Sequence, residues 1–260
     1  MPETITANLY DFPKYYDLIF GNDWKAEFDF LRAAFQEFVS GKTRRLFEPA
    51  CGTGRLVFRL AKAGYNVSGL DLNPRAVDYC NRRLAKHDLP ETAFIGDMSK
   101  FRLSKPVDAA FNTINSFRHL PSEATARAHL RCMAESLRKG GVYVLGLHLT
   151  PTEGEPMTEE SWSSRRGHLC INTHLQTFEV DRPGRMELCR MTMDVYSPTD
   201  QFQIVDELRF RTYTLPQLRR LLADVPELEL VEVFDFRYSL DAPTIMDAST
   251  QDVVLILRRK

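Results

Sequence analysis

The sequence has few of the features that mark membrane, secreted or nucleic-acid-binding proteins. Its 260 residues carry 34 Lys and Arg against 35 Asp and Glu, so a net charge of -1 gives no global attraction to nucleic acid. No apolar run approaches the ~20 residues that a membrane-spanning helix needs. The segment Met1–Phe12 lacks the basic start and the apolar stretch of a signal peptide. We therefore expect a cytoplasmic protein with no membrane and no nucleic-acid partner.

Cysteine is also scarce. The five cysteines are an odd number and none of them pair at metal-ligand spacing, and no His, Asp or Glu group has such spacing either. We expect reduced thiols and no metal site. The hydrophobic content of 43% and the charged content of 27% are ordinary for a globular protein, and the length suits one large α/β domain with an elaboration.

The most informative stretch that is present runs from Leu46 to Leu56. Its apolar start is typical of a buried strand, Glu48 follows, and Gly52 and Gly54 form a tight turn before a helical pattern. Glycines at these positions let a ligand approach the backbone closely. The stretch therefore predicts a small ligand at the carboxyl end of the first strand of an α/β sheet.

Two details of this turn indicate which kind of ligand it suits. A dinucleotide-binding turn needs a third glycine, but Val57 stands in that position. The carboxylate of Glu48 would repel a pyrophosphate, whereas it favours a cation or an amine. S-adenosylmethionine (SAM) carries a sulfonium and an α-amino group and no phosphate, and Glu48 could bond its amino group through water.

Two later acids support nucleoside binding. Asp71 ends a second short strand 17 residues past Gly54, a spacing close to that of a ribose-binding acid, and its two oxygens could accept both ribose hydroxyls. NAD and SAM share this feature. Asp97 ends a third strand, where it could accept the exocyclic amine of adenine while Met98 packs on the ring face.

Taken in order, these motifs resemble the class I SAM-dependent methyltransferases. The glycine turn, Asp71, the segment Gly96-Asp97-Met98 and the glycine turn at Leu137–Leu145 carry the resemblance, which covers roughly residues 10–150 well. It implies an amino-terminal segment that closes over the cofactor. The cofactor-binding residues expected on this basis are Tyr16, Glu48, Ala50, Gly52, Gly54, Asp71, Leu72, Asp97, Met98 and Asn112.

The alternation of elements from residue 44 to residue 149 predicts parallel βαβ units. Helices are expected over about 53–63, 74–87 and 122–138, and a further helix over 23–39 should pack over the sheet edge or the cofactor mouth. With the resemblance, this predicts a doubly wound, mostly parallel, seven-stranded Rossmann-like sheet. Strands over 228–236 and 252–258, after a helix capped by Thr214, complete it.

The pattern changes after Thr150. Alternating segments at 168–181, 185–196 and 201–213 predict an antiparallel meander of about three strands. We expect residues 1–150 and 214–260 to form the SAM-binding domain. The insertion, residues 151–213, should roof the substrate site, form a homodimer surface, or do both; it could also merely thicken the fold.

Two histidines are candidates for catalysis. His119 follows the fourth strand and His148 falls near the end of the fifth, and both could take a proton near neutral pH. Hydrogen-bonded structural histidines are the alternative. Among the substrate candidates, Arg118 could bind an anionic group or pair with an acid, while Tyr15 and Asn115 could line the site or only pack and turn the chain.

The sequence favours SAM-dependent methyl transfer to a nitrogen or oxygen atom of a small-molecule acceptor by in-line displacement. Near-neutral charge and the roof-like insertion support a small acceptor. A methyltransferase acting on protein or RNA, and a SAM-binding regulatory protein without turnover, remain as alternatives. A dehydrogenase is the weakest candidate, because the third glycine is missing.

Overall fold

The computed structural model describes residues 3–260, which form two β-sheets and six α-helices. The strands are β1 (Glu3–Thr6), β2 (Arg45–Pro49), β3 (Asn66–Asp71), β4 (Ala93–Ile95), β5 (Val107–Asn112), β6 (Leu137–His148), β7 (Glu159–Arg166), β8 (Leu169–Asp181), β9 (Met186–Tyr196), β10 (Gln201–Arg211), β11 (Leu228–Phe234) and β12 (Asp252–Arg259). The helices are α1 (Pro13–Gly21), α2 (Lys25–Phe38), α3 (Arg55–Lys62), α4 (Pro74–Ala85), α5 (Glu123–Ser136) and α6 (Leu215–Ala223).

The main sheet has seven strands in the order β4-β3-β2-β5-β6-β12-β11. Strands β2 to β6 are parallel, and β12 runs antiparallel to both of its neighbours. All six residues of β5 are buried, as expected for a central strand covered on both faces. The predicted doubly wound sheet is confirmed. Its strand order reverses between β2 and β5, which is where α/β sheets bind ligands.

The two faces of this sheet are covered by different helices. Helices α2, α3 and α4 pack on one face, and α5 and α6 on the other. The helix predicted over 23–39 lies at Lys25–Phe38 and covers more than the sheet edge. Its Phe30 packs against Phe234 of edge strand β11 with ring centroids 5.3 Å apart, and its Phe35 reaches Phe111 of central β5 at 6.3 Å.

The second sheet has five strands in the order β1-β10-β9-β8-β7. Its three long strands match the predicted meander, but β7 and β1 were not predicted. Strand β7 is an exposed edge with a polar sequence, so it lacks the alternation that marks a half-buried strand. Strand β1 has only four residues and pairs in parallel with β10. The chain's division into residues 1–150 with 214–260 and an insertion over 151–213 stays a prediction.

Three further observations concern the cysteines, membrane-spanning helices and metal ligands. All five cysteines are free thiols. Within residues 3–260, no helix is both long and apolar enough to cross a membrane, and no three His, Cys, Asp or Glu side chains cluster as metal ligands would.

One buried histidine belongs to the core. His129 of α5 is fully buried, its Nδ1 lies 2.9 Å from the carbonyl oxygen of Met98, and its Nε2 lies 2.9 Å from the hydroxyl of Tyr143. Burial lowers the pKa of His129 from 6.5 to about 4, because the core disfavours the charged imidazolium.

This burial predicts acid sensitivity. Below about pH 6.5 the unfolded chain binds a proton at His129, whereas the folded chain does not do so until about pH 4. The contribution to the free energy of unfolding is therefore fully present above pH 6.5, and roughly 3 kcal/mol of it is lost by pH 4. Urea denaturation at pH 7 and pH 5 should show a smaller pH dependence in His129→Asn than in the wild type. The exposed His168→Asn is the control and should keep the wild-type dependence; an unchanged dependence in His129→Asn would contradict the assignment.

Candidate active site

The glycine turn between β2 and α3 depends on an unusual backbone. Ala50, Gly52 and Gly54 all have positive φ, at 52°, 52° and 68°. A Cβ on Gly54 would lie 2.1 Å from the Sγ of Cys80, so only glycine fits there. The amide of Cys51 donates to the carbonyl of Leu70, which ties the turn to the next strand.

Asp71 holds this turn from the end of β3. Its Oδ2 accepts the amide N–H of Gly52 at 2.8 Å, and its Oδ1 accepts the N–H of Asn73 at 2.8 Å. Each carboxylate oxygen keeps further lone-pair capacity for a ligand. Burial raises the pKa of Asp71, and the two backbone N–H groups oppose that rise.

A small cavity of about 40 Å³ lies beside the turn, where β2 and β5 end. Three buried polar atoms face this region without a hydrogen-bond partner among residues 3–260: Glu48 Oε2, Asn112 Oδ1 and Thr113 Oγ1. Asn112 Oδ1 is an acceptor only, as Glu48 Oε2 is when its carboxyl is ionised, and buried acceptors normally have donors. Burial also raises the pKa of Glu48 well above its usual range. The arrangement suits a ligand that brings a donating amine.

The predicted cofactor residues fall into three groups. The cavity wall includes Tyr16, Glu48, Ala50, Gly52 and Asn112. Asp71 and Gly54 fix the turn itself, as described above. The remaining three residues lie beyond the cavity wall: Leu72, Asp97 and Met98.

Leu72 and Asp97 lie at the open ends of neighbouring strands, whereas Met98 does not. Leu72 is 68% exposed, and Ile95, which is the register partner of Asp71, is 62% exposed, so both apolar side chains near Asp71 are uncovered. Asp97 is exposed and its Oδ1 accepts hydrogen bonds from Ser99. Met98 is buried in the core with α5, and its carbonyl binds His129, so the structure does not bring its side chain to the cavity.

The amino-terminal segment covers the small cavity. The ring of Tyr16 lies 3.4 Å from where a Cβ on Gly52 would stand, and Phe20 also lines the wall. Tyr15, by contrast, packs against Phe202 at 5.7 Å and lines neither cavity described here.

Asp17 fixes this segment in place. The side chain is 2% exposed, its Oδ1 accepts from the hydroxyl of Thr53 at 3.2 Å, and its Oδ2 accepts from Tyr79 at 3.3 Å. It pairs with Arg83 of α4 and, at 3.2 Å, with Arg166 of β7. One carboxylate thus joins α1, the glycine turn, α4 and the second sheet.

A second cavity of about 550 Å³ lies between the carboxyl ends of β5 and β6 and the inner face of the second sheet. Its lining is rich in hydroxyl and amide groups. They include Asn115, Thr150, Thr152, Thr158, Thr177, Thr212, Thr214, Gln217 and Gln251, with Arg118, His148, Leu175, Val180, Glu187 and Phe210.

Arg118 lines this cavity as part of an ion pair. It is 7% exposed, its guanidinium pairs with Glu187 of β9, and its Nε donates to the carbonyl of Arg211 at 3.0 Å. Pairing with an acid was the alternative interpretation of this residue, and the structure contains that pair. Asn115, which has a φ of 58°, accepts the backbone N–H of His148 on Oδ1 at 2.9 Å.

The two candidate histidines have different surroundings. His119 Nε2 lies 2.8 Å from the hydroxyl of Tyr10, and its ring does not line either cavity. Burial, with a smaller contribution from Arg118, lowers the pKa of His119 to about 4. His148 lines the larger cavity, and its Nδ1 lies 2.6 Å from Oδ1 of Asp252.

Sequence reasoning missed several residues at these sites, and four of them illustrate why. Phe20 and Thr113 line the small cavity, Tyr10 binds His119, and Asp252 binds His148. Tyr10 and Asp252 are more than 100 positions from their partners, so no local pattern could have indicated them.

Comparison with known proteins agrees with this geometry. Residues 47–141 match the family described as a methyltransferase domain. They contain the glycine turn, Asp71 and the carboxyl ends of β2 and β5. Residues 47–141 are a methyltransferase domain. The predictions of a class I methyltransferase, and of SAM as its cofactor, are confirmed.

Individual proteins are similar to the chain over different spans. The dTDP-3-amino-3,4,6-trideoxy-alpha-D-glucopyranose N,N-dimethyltransferase of Streptomyces venezuelae is 30% identical over 137 residues, half of this chain and 54% of that protein. Among solved structures, a SAM-dependent methyltransferase from Clostridium acetobutylicum ATCC 824 has a TM-score of 0.76 at 16% identity, covering 97% of this chain and 99% of that one. The sugar N-methyltransferase KedS8 from Streptoalloteichus sp ATCC 53650 has a TM-score of 0.73 at 19% identity, covering 97% and 94%. The two structural similarities establish the fold.

Removing the Asp17 carboxylate should loosen the amino-terminal segment. Asp17→Ala leaves Arg83 half-buried without its partner, and breaking a buried pair in this way costs about 3–5 kcal/mol. Chemical denaturation measures the loss. The exposed Asp78→Ala, which removes only a surface pair with Arg82, should cost less than about 1 kcal/mol; equal effects of the two substitutions would contradict the role of Asp17.

Asp71 should be required for SAM binding by the methyltransferase domain. Asp71→Ala removes the acceptor of Gly52 N–H and the expected ribose contacts, so SAM affinity measured by calorimetry should fall roughly 10- to 100-fold. The exposed Glu91→Ala is the control and should bind SAM as the wild type does. Unchanged affinity in Asp71→Ala would remove Asp71 from the ribose role.

Proposed function

We propose that the chain transfers a methyl group from SAM to a nitrogen or oxygen atom of a small, polar acceptor held in the 550 Å³ cavity. An amino sugar is the acceptor class that we favour. The single observation that carries this proposal is the partly enclosed cavity, lined by many hydroxyl and amide groups, that shares the segment after β5 with the cofactor side of the sheet. Two of the similar proteins are named as methyltransferases of sugars, which supports the same class.

The residues beside the glycine turn fit SAM. Glu48 Oε2 and Asn112 Oδ1 are buried acceptors without donors among residues 3–260, and the α-amino group of SAM supplies donors. Asp71 offers lone pairs to ribose hydroxyls, while Leu72 and Ile95 offer an apolar surface to adenine. When bound, SAM supplies a methyl group made electrophilic by its sulfonium.

The amino-terminal segment must move for this binding. A 40 Å³ cavity is about the size of one or two water molecules, far smaller than SAM. Tyr16 and Phe20 occupy the space over Gly52, so we infer that they swing outward and then close on the bound cofactor. Closure excludes water and fixes the acceptor in line with the reacting carbon, which supplies most of the acceleration in such a displacement.

The remaining features of the proposal follow from surface and composition. A net charge of -1 and a partly enclosed cavity of about 550 Å³ favour a small acceptor over RNA or a protein substrate. Five free thiols favour a cytoplasmic location. Strands β1 and β7 leave the two edges of the second sheet unpaired among residues 3–260, which makes a homodimer through this sheet a reasonable expectation.

The acceptor cavity is tested by filling it. Val180 of β8 lines the cavity and is 49% exposed, so Val180→Trp should fold normally and obstruct the acceptor. We expect kcat/KM for the acceptor to fall at least about 10-fold while SAM affinity stays unchanged. Phe178→Trp, on the same strand but away from the cavity lining, is the matched control.

Turnover itself is measured as S-adenosylhomocysteine release with a panel of amino sugars and hydroxylated amines. Release that Val180→Trp lowers and Phe178→Trp does not would support the proposal. SAM binding without S-adenosylhomocysteine release in the presence of any acceptor would favour a SAM-binding regulatory protein. Release only with peptides or RNA would favour a methyltransferase that acts on protein or RNA.

A further inference from the structure

His148 and Asp252 are directly opposite residues on neighbouring antiparallel strands. In the pairing of β6 with β12, Asp252 is the partner of His148, so the sheet register itself places the two side chains together. The Nδ1 to Oδ1 distance of 2.6 Å is that of a strong, charge-assisted hydrogen bond. This hydrogen bond therefore does not depend on the conformation of a loop.

The ring and the backbone of His148 are each held by a further contact. Phe236 packs edge-on against it with centroids 5.0 Å apart, and Asn115 binds the backbone N–H of His148. Since Nδ1 is engaged by a carboxylate, which accepts and cannot donate, the proton of the neutral ring sits on Nδ1. Nε2 then carries the free lone pair, on a ring that lines the acceptor cavity and is 27% exposed.

We propose that Asp252 is a positioning residue that fixes His148 as the base for the acceptor, with Nε2 receiving the acceptor's proton. This inference rests on the proposed function of the cavity. It deepens that function by restricting the acceptor atom to one that loses a proton during transfer, a hydroxyl oxygen or an ammonium nitrogen. A tertiary amine or a thioether would need no such group.

The proton balance of the step is simple. The acceptor atom forms a bond to the methyl carbon as the carbon–sulfur bond breaks, with that electron pair passing to sulfur. A hydroxyl oxygen attacks with its own lone pair, and its O–H pair becomes a lone pair as the proton moves to Nε2 of His148. An ammonium nitrogen first gives a proton to Nε2, so that the former N–H pair becomes the lone pair that attacks. Asp252 keeps its negative charge and stabilises the resulting imidazolium without taking the proton itself.

His119 is less suited to this role. Its Nε2 is already hydrogen-bonded to the hydroxyl of Tyr10. The ring also lies near Arg118, whose positive charge opposes protonation of the imidazole. His119 instead ties the amino-terminal segment to the loop after β5. His119 therefore has a structural role, whereas His148 lines the acceptor cavity.

The tautomer of His148 is the first test, and it needs no acceptor. Nitrogen-15 NMR of histidine-labelled full-length protein, with the His148→Gln spectrum used for assignment, should give an Nδ1–H tautomer in the wild type. Asp252→Ala should shift most of the population to Nε2–H, whereas Glu229→Ala, which removes an exposed carboxylate from β11, should leave it unchanged. An Nε2–H tautomer in the wild type would overturn the proposal.

Kinetics supply the second test, with the best amino sugar from the acceptor panel as probe. Asp252→Ala should lower kcat roughly 10- to 100-fold with little change in SAM affinity, and Glu229→Ala should match the wild type. An unchanged kcat in Asp252→Ala would overturn the positioning role. If no acceptor in the panel turns over, the proposed function fails, while the tautomer and SAM-binding measurements still report on the protein alone.

Discussion

The buried carboxylate of Asp17 connects parts of the molecule that are far apart in sequence. It joins α1 to the glycine turn through Thr53, to α4 through Arg83, and to the second sheet through Arg166. A charge buried to this extent is tolerated only because cations and hydroxyls surround it. This one group therefore helps to fix both the amino-terminal segment over the cofactor side and the second sheet over the acceptor side.

The two cavities then follow from the reversal of strand order. Chain leaving β2 turns into α3 and supplies the cofactor side, while chain leaving β5 and β6 supplies the acceptor side. The segment Thr113–His119 lies between them. Methyl transfer needs its two reactants in line and shielded from water. Within residues 3–260, this segment is the only stretch that contributes residues to the walls of both cavities.

Much of the main sheet and several residues of the small cavity wall could be predicted because each depends on local patterns. Apolar runs that end in Glu48, Asp71 and Asp97 indicate parallel strands, and a positive φ requires the glycines. Strand β7 escaped prediction because an exposed edge needs no apolar alternation. The pairing of His148 with Asp252, and of His119 with Tyr10, arises from strand register and chain reversal, which no local pattern encodes.

The parallel pairing of β1 with β10 also bears on how the chain is made. Glu3 pairs with Phe202, so β1 is synthesised about two hundred residues before its partner strand β10 exists. Closing so long a loop is entropically costly, and it makes the last stage of folding depend on an early, unpaired segment. The segment that carries Tyr10, Tyr16 and Asp17 directly follows β1. The site that this segment covers can therefore be completed only after β10 has been synthesised and is available to pair with β1.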